Sequence, residues 1–151
     1  MEKPTYSMSS VGGCPRAVVA VRLGNDVVSP PEFMQTAAKE GVRHEEFVAK
    51  DLEEYGWKCS EPVHCESCDR DGVHVELEFA AYRLVGHLDR TAIPTRPGLV
   101  TNGEHLVEIK SLGRFRAESL IKTLTDNKFK ERFFEYAMQV SCYHYASGLP
   151  I

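Results

Sequence analysis

Phe33, Ala37, Val42, Phe47, Val48 and Leu52 recur at nearly helical spacing. This apolar stripe predicts an amphipathic helix from about Pro31 to Tyr55, packed along those residues, with Gly56 ending it. Gly41 is placed to kink it or divide it in two. Upstream, "SSVGGCPRAVVAVRLG" reads as a turn and a short helix, with Pro15 in its first turn and Gly24 as its stop. Downstream the period changes to two. Val73, Val75, Leu77 and Phe79 fall on one side of a predicted strand, and "YRLVGHLDRTAI" and "EHLVEIKSL" read as two more. The turn-rich "PTRPGLVTNGE" separates the last two, so the three form a meander. A polar, basic stretch follows. Then "KERFFEYAMQVSCYHYASG" predicts a long helix with Phe133, Tyr136, Ala137, Val140 and His144 facing inward. Helix, antiparallel strands, helix is an α/β or α+β layer arrangement.

The 151 residues suit one domain spanning 1–151. No run of 18 apolar residues occurs, so no membrane partner is expected. The N-terminus lacks the basic-then-apolar pattern of a secretory signal, so a cytoplasmic location is expected. The net charge of −4 argues against a nucleic-acid partner, but its distribution argues the other way. Glu32 to Glu78 holds 13 acids against 5 bases, while Lys110 to Arg132 holds 7 bases against 3 acids. Because salt screens fields within about 8–10 Å, a local basic patch can still bind phosphates.

Glu108 and Lys110 stand two apart in an apolar run, so they share a strand face while Leu106, Val107 and Ile109 serve the packing. Asp is a poor strand residue, yet Asp89 follows "VGHL" in the neighbouring predicted strand. Antiparallel neighbours lie about 4.5–5.5 Å apart. Two carboxylates that close repel unless one is protonated or a cation lies between them. Asp and Glu oxygens suit Mg²⁺ or Mn²⁺. With Lys110 on the same face, the set suits metal-assisted hydrolysis of a phosphodiester. Taken alone, Glu108 and Lys110 also read as a plain ion pair.

"GHLD" and "EIK", 18 residues apart, resemble the metal motif of the PD-(D/E)xK nucleases. "GVRHEEFV" resembles the helix that carries a metal-binding His in the RecB-like branch. Gln139 and Tyr143 in "QVSCY" resemble that branch's Q-x-x-x-Y motif. "SSVGGCPRAVVAVRLG" is similar to the opening of phage RecB-like exonucleases and CRISPR-associated RecB-like nucleases. The resemblance spans about Ser10 to Tyr145. It implies a restriction-endonuclease-like core, a central mixed sheet with an antiparallel meander flanked by helices. It further implies a DNA nuclease, an exonuclease by similarity, with recombination or replication proteins among its partners. His44, Asp89, Glu108 and the carbonyl of Ile109 would hold the metal, and the nitrogen donor favours Mn²⁺ over Mg²⁺. Lys110 would act on the attacking water. Gln139 and Tyr143 would contact DNA or brace the site, and Arg16, Arg114 and Arg116 would clamp phosphates.

The five cysteines, an odd number without an export signal, point away from disulfides. Cys59, His64, Cys65 and Cys68 lie within ten residues and offer a zinc site. A structural zinc normally takes two well-separated pairs, however, so a reduced loop without metal is the expectation. Cys14 matches the first cysteine of the iron–sulfur cluster found in some RecB-like nucleases. The three that should follow the core are not in the sequence, so a cluster is not expected. His87 shares Asp89's face by parity and is expected to pack. Two other readings remain: a catalytically silent nucleic-acid-binding module, and a zinc-stabilised interaction protein.

Overall fold

The computed structural model describes residues 3–24, 31–98 and 103–151. The chain opens with β1 (Thr5–Ser7), a 3-10 turn (Met8–Ser10) and α1 (Pro15–Arg22). Pro15 occupies the first turn of α1, and Gly24 follows its end at φ +72°.

Helix α2 (Glu32–Glu54) runs unbroken through Gly41 for 23 residues. Its end is fixed by a left-handed Gly56 at φ +93°. Arg96 Nη2 donates to the Glu54 carbonyl at 2.7 Å, and the Thr95 amide and hydroxyl donate to Gly56 O at 2.7 and 2.8 Å. The expected packing along the stripe does not occur. Ala49 is the buried residue of α2, Val48 and Leu52 are half-buried, and Phe33, Val42 and Phe47 are 72%, 62% and 63% exposed. The helix is about 34 Å long and rests on β2 (Trp57–Cys59), a strand of about 10 Å, which is too short to cover the apolar stripe along its length.

After β2 come a short hairpin of β3 (His64–Cys65) and β4 (Arg70–Asp71), then β5 (Val73–Glu78) and β6 (Arg83–Leu88). The predicted single strand over 82–93 is two strands. β6 ends at Leu88, Asp89 interrupts, and β7 (Arg90–Pro94) continues. The interruption splits the expected meander between two three-stranded sheets. In the first, β6 lies between parallel β1 and antiparallel β5; in the second, β7 lies between antiparallel β2 and antiparallel β8 (His105–Val107). The predicted third strand is likewise shorter, since Glu108, Ile109 and Lys110 have left the β8 ladder. Residues 99–102, the middle of the predicted turn between them, lie outside the described residues.

The basic stretch forms α3 (Arg114–Thr125), which had no sequence signal because Thr123 is its one buried residue. After α4 (Phe129–Arg132), α5 (Phe134–Ser147) supplies the predicted C-terminal helix, closed by left-handed Gly148. Phe133 is buried and Tyr136, Ala137 and Val140 are half-buried, as the pattern predicts. His144 instead faces solvent, its Nδ1 donating to Leu149 O at 2.6 Å. The residues α5 buries are Gln139 and Tyr143.

Met8, Val75, Leu88, Leu106 and Tyr143 form the core, joining the first sheet to β8 and α5. Gly86 in the middle of β6 makes this possible. A Cβ there would lie 2.4 Å from Tyr143 Cε1 and 3.0 Å from Met8 Cβ, so only hydrogen leaves room for the tyrosine ring. The structure is therefore mixed α+β. Among the described residues, no helix is long and apolar enough to cross a membrane.

Candidate active site and metal centre

Asp89 and Glu108 meet where the two sheets join. In the β7–β8 register Arg90 pairs with Val107, so Asp89 and Glu108 stand opposite one another one step beyond the ladder. The Ile109 amide donates to Asp89 Oδ2 at 2.6 Å and ties the two segments together. This bond explains an aspartate inside an apolar run: its carboxylate satisfies an amide that the ladder no longer uses.

Glu108 is the more deeply placed carboxylate, its side chain 7% exposed. Its Oε1 accepts from the Lys110 ammonium and, at 2.7 Å, from Gln139 Nε2. Gln139 also donates to the Tyr143 hydroxyl at 2.9 Å. Gln139 and Tyr143 thus brace Glu108 from beneath. The other oxygen, Oε2, is buried with no hydrogen-bond partner. An apolar cavity of about 640 Å³, lined by Leu52, Trp57, Leu88, Leu106 and Val140 among others, borders the same carboxylate.

The electrostatics follow from this placement. Burial, and then the charge of Asp89, push the Glu108 carboxyl up to about 7 against the pull of Lys110. Burial raises the Asp89 carboxyl too, with the Ile109 amide and Lys110 opposing. A third carboxylate, Glu45 on α2, is raised by burial and by Asp89. Burial pushes the Tyr143 phenol up to about 12, so it stays a neutral hydrogen-bonding group. Glu45, Asp89 and Glu108 are thus three mutually repelling carboxylates beside one lysine, with one buried oxygen unpartnered, but they do not bring ligand atoms within 4.8 Å of one another.

His44 is exposed on α2, with Nδ1 3.3 Å from Ser111 Oγ, beside Lys110 but turned to the site's rim. His44, Asp89 and Glu108 do not bring ligand atoms within 4.8 Å of one another in this arrangement. Of the arginines named from sequence, Arg16 is exposed on α1, and Arg114 pairs with Glu118 at 2.9 Å. Arg116 lies over the rings of Phe133 and Tyr136, 5.8 and 5.2 Å from their centroids. Arg116 as a whole residue is nonetheless exposed.

A second cluster lies on the other side of β6. Among the described residues, Cys65, Cys68, His74 and His87 offer one ligand atom each, all within 4.8 Å of one another. This differs both from the metal-free loop expected from sequence and from the four residues the sequence offered as a zinc site. Cys65 and Cys68 are retained, but Cys59 stands away on β2, and His64 is taken by Asp71 at 2.9 Å and Asp69 at 3.6 Å. The second pair is His74 and His87, directly opposite across β5 and β6. Their rings meet edge to face, 5.3 Å between centroids. His87 is therefore part of a metal-competent group rather than packing alone. Burial and the neighbouring His74 lower its pKa, and the Ser67 hydroxyl lowers that of Cys65. Glu45 and His74 were not singled out from sequence. Glu45 was hidden by its neighbour His44, and His74 could be found only by knowing which residues of β5 and β6 are paired.

Comparison with family models, curated proteins and solved structures finds no match to this chain.

Proposed function

We propose that this chain is a divalent-metal-dependent nuclease that hydrolyses DNA phosphodiesters, with the restriction-endonuclease-like core of the RecB-like branch. The observation that carries the reading is the knot around Glu108. Residues from three separate segments, Asp89, Glu108–Lys110, and Gln139 with Tyr143 on α5, join in hydrogen-bonding or electrostatic contact around one buried carboxylate with an unpartnered oxygen. A structural ion pair alone gains little from burying a carboxylate this way, because the desolvation penalty offsets the attraction.

Asp89 and Glu108 would hold Mg²⁺ or Mn²⁺; by the family resemblance the Ile109 carbonyl and His44 would complete the set, which requires His44 to move from its place beside Ser111. Such an ion lowers the pKa of bound water and neutralises charge on the scissile phosphate. Lys110 sits at the mouth of the site, where its ammonium orients water against Glu108 and offsets the charge developing on phosphate. Gln139 and Tyr143 hold Glu108 in one rotamer and exclude water from beneath it. Arg116, exposed on its aromatic shelf, and Arg114 and Arg16 offer donors to the DNA backbone. Attack by water would form a P–O bond and break the P–O3′ bond, one water proton ending on O3′, to leave a 5′ phosphate and a 3′ hydroxyl. A cytoplasmic setting and recombination or replication proteins as partners belong to the same proposal.

Labelled single- and double-stranded DNA incubated with Mn²⁺ and Mg²⁺ tests it. Cutting by the wild type, abolished in Lys110→Ala with DNA binding retained, is the expected result. Binding without cutting by the wild type would replace the enzyme with a silent nucleic-acid-binding module.

A further inference from the structure

We propose that Cys65, Cys68, His74 and His87 form a closed structural Zn²⁺ site that staples the β3–β4 hairpin onto the β5–β6 strand pair. The distances carry this. A tetrahedral ion with sulfur at about 2.3 Å and imidazole nitrogen at about 2.05 Å sets each S···N edge at about 3.5 Å. His74 Nδ1 lies 3.6 Å from Cys65 Sγ and 3.4 Å from Cys68 Sγ. One imidazole nitrogen thus faces both sulfurs at the separation that a shared ion imposes. The fourth donor is His87, whose Nε2 is buried with no hydrogen-bond partner. A buried ring nitrogen without a partner is costly, and a metal bond removes that cost.

The surroundings agree. Glu76 Oε2 stands 3.7 Å from His74 Nε2, on the far side of the ring from the sulfurs, outside hydrogen-bond distance but on the side from which a carboxylate orients a ligating imidazole. The Cys68 amide bonds back to Cys65 O at 3.1 Å, and Asp69 turns through φ +51°, forming the tight knuckle of a C-x-x-C pair. Two thiolates and two imidazoles exclude Mg²⁺, Mn²⁺ and Ca²⁺ as occupants. Four protein donors leave no open position, so the ion is structural.

The hairpin needs such a staple. β3 and β4 are two residues each, and a hairpin of that size does not hold itself together in water. Gly72 lets it reach the sheet: its φ is +115°, and a Cβ there would lie 2.6 Å from Leu88 O and 2.9 Å from His87 Cβ. The zinc site shares no residue with the Asp89–Glu108 centre and does not depend on how that centre is read.

The full chain, expressed with zinc and purified under reducing conditions without chelator, tests the assignment. We expect one zinc per chain by elemental analysis, and a thiolate-to-metal absorption band with tetrahedral d–d bands after exchange into Co²⁺. In the wild type, zinc should shield Cys65 and Cys68 from alkylation while exposed Cys14 reacts freely, a readout that needs no variant to fold. Cys59→Ser and His64→Gln should keep the zinc, and Cys68→Ser and His87→Gln should lose it. Sub-stoichiometric zinc with unshielded Cys65 and Cys68, a Cys65–Cys68 disulfide in the reduced protein, or zinc lost with Cys59 or His64 would each overturn it.

Discussion

Gly86→Ala adds one methyl group at the point where β6, the 3-10 turn and α5 meet. The new Cβ would lie 2.4 Å from Tyr143 Cε1, more than an ångström inside ordinary contact, and 3.0 Å from Met8 Cβ. Tyr143 is 2% exposed and Met8 fully buried, and the apolar cavity that Tyr143 lines is the space into which its ring would have to shift. Overpacking of this kind costs about 1–3 kcal/mol, and the contact distance puts Gly86→Ala at the upper end. Moving the ring also displaces the hydroxyl that Gln139 donates to, and with it the amide that holds Glu108. The variant should therefore lose about 2–3 kcal/mol in urea denaturation and lose Mn²⁺-dependent DNA cutting by a larger factor than its unfolded fraction explains. A double-mutant cycle with Tyr143→Leu isolates the cause. With the ring gone, Gly86→Ala should cost at least about 1 kcal/mol less than in the wild type, a coupling expected only of residues in direct contact. An equal cost in both backgrounds, or a wild-type cost within the noise, would refute the steric account of this glycine.

Glu108→Gln should be nearly neutral at pH 5 and stabilise the protein at pH 8 in buffer free of added divalent cations, while abolishing cutting. The folded-state pKa is raised to about 7, so stability present below the ordinary carboxylate range is lost as pH rises through 7. Between pH 5 and pH 8 the stability of Glu108→Gln relative to the wild type should rise by about 2–3 kcal/mol, a difference from which any pH-independent cost of the new amide cancels, and urea melts at both pH values check it. Gly72→Ala should destabilise by at least about 2 kcal/mol through its left-handed backbone and the clash with Leu88 O, and should release zinc at lower chelator concentration. Arg116→Ala should weaken DNA binding and flatten its salt dependence by about one unit of slope. Arg114→Ala should do so less, because Glu118 already offsets its charge; gel-shift titrations over a salt series measure both.

The local elements were legible where a single period ran without interruption. The 3.6-residue repeat and Gly56 placed α2, and the alternation Val73, Val75, Leu77 placed β5. The Asp89–Glu108 encounter was legible too, because an aspartate in an apolar strand needs a reason and an E-x-K face supplies one. Periodicity reports which side of an element is apolar, not whether anything covers it. Phe33, Val42 and Phe47 keep a helical stripe and remain in solvent. Nor does it report where a strand changes sheets: "RLVGHLDRTAIP" reads as one run, and the break at Asp89 depends on a hydrogen bond from a residue 20 positions away. The second metal-competent group was half visible. Cys65 and Cys68 announce themselves by spacing, whereas His74 and His87 become a pair only through the register of β5 on β6.

Asp89 belongs to both sheets and to neither ladder. The chain enters it from the first sheet and leaves it into the second, and Glu108 arrives from the second alone. Melting the second sheet removes the register that sets the two carboxylates opposite one another, whereas melting the first leaves that register and frees only the segment leading into Asp89. The pair therefore lasts as long as the second sheet does, and the first sheet fixes where the pair sits against the rest of the fold.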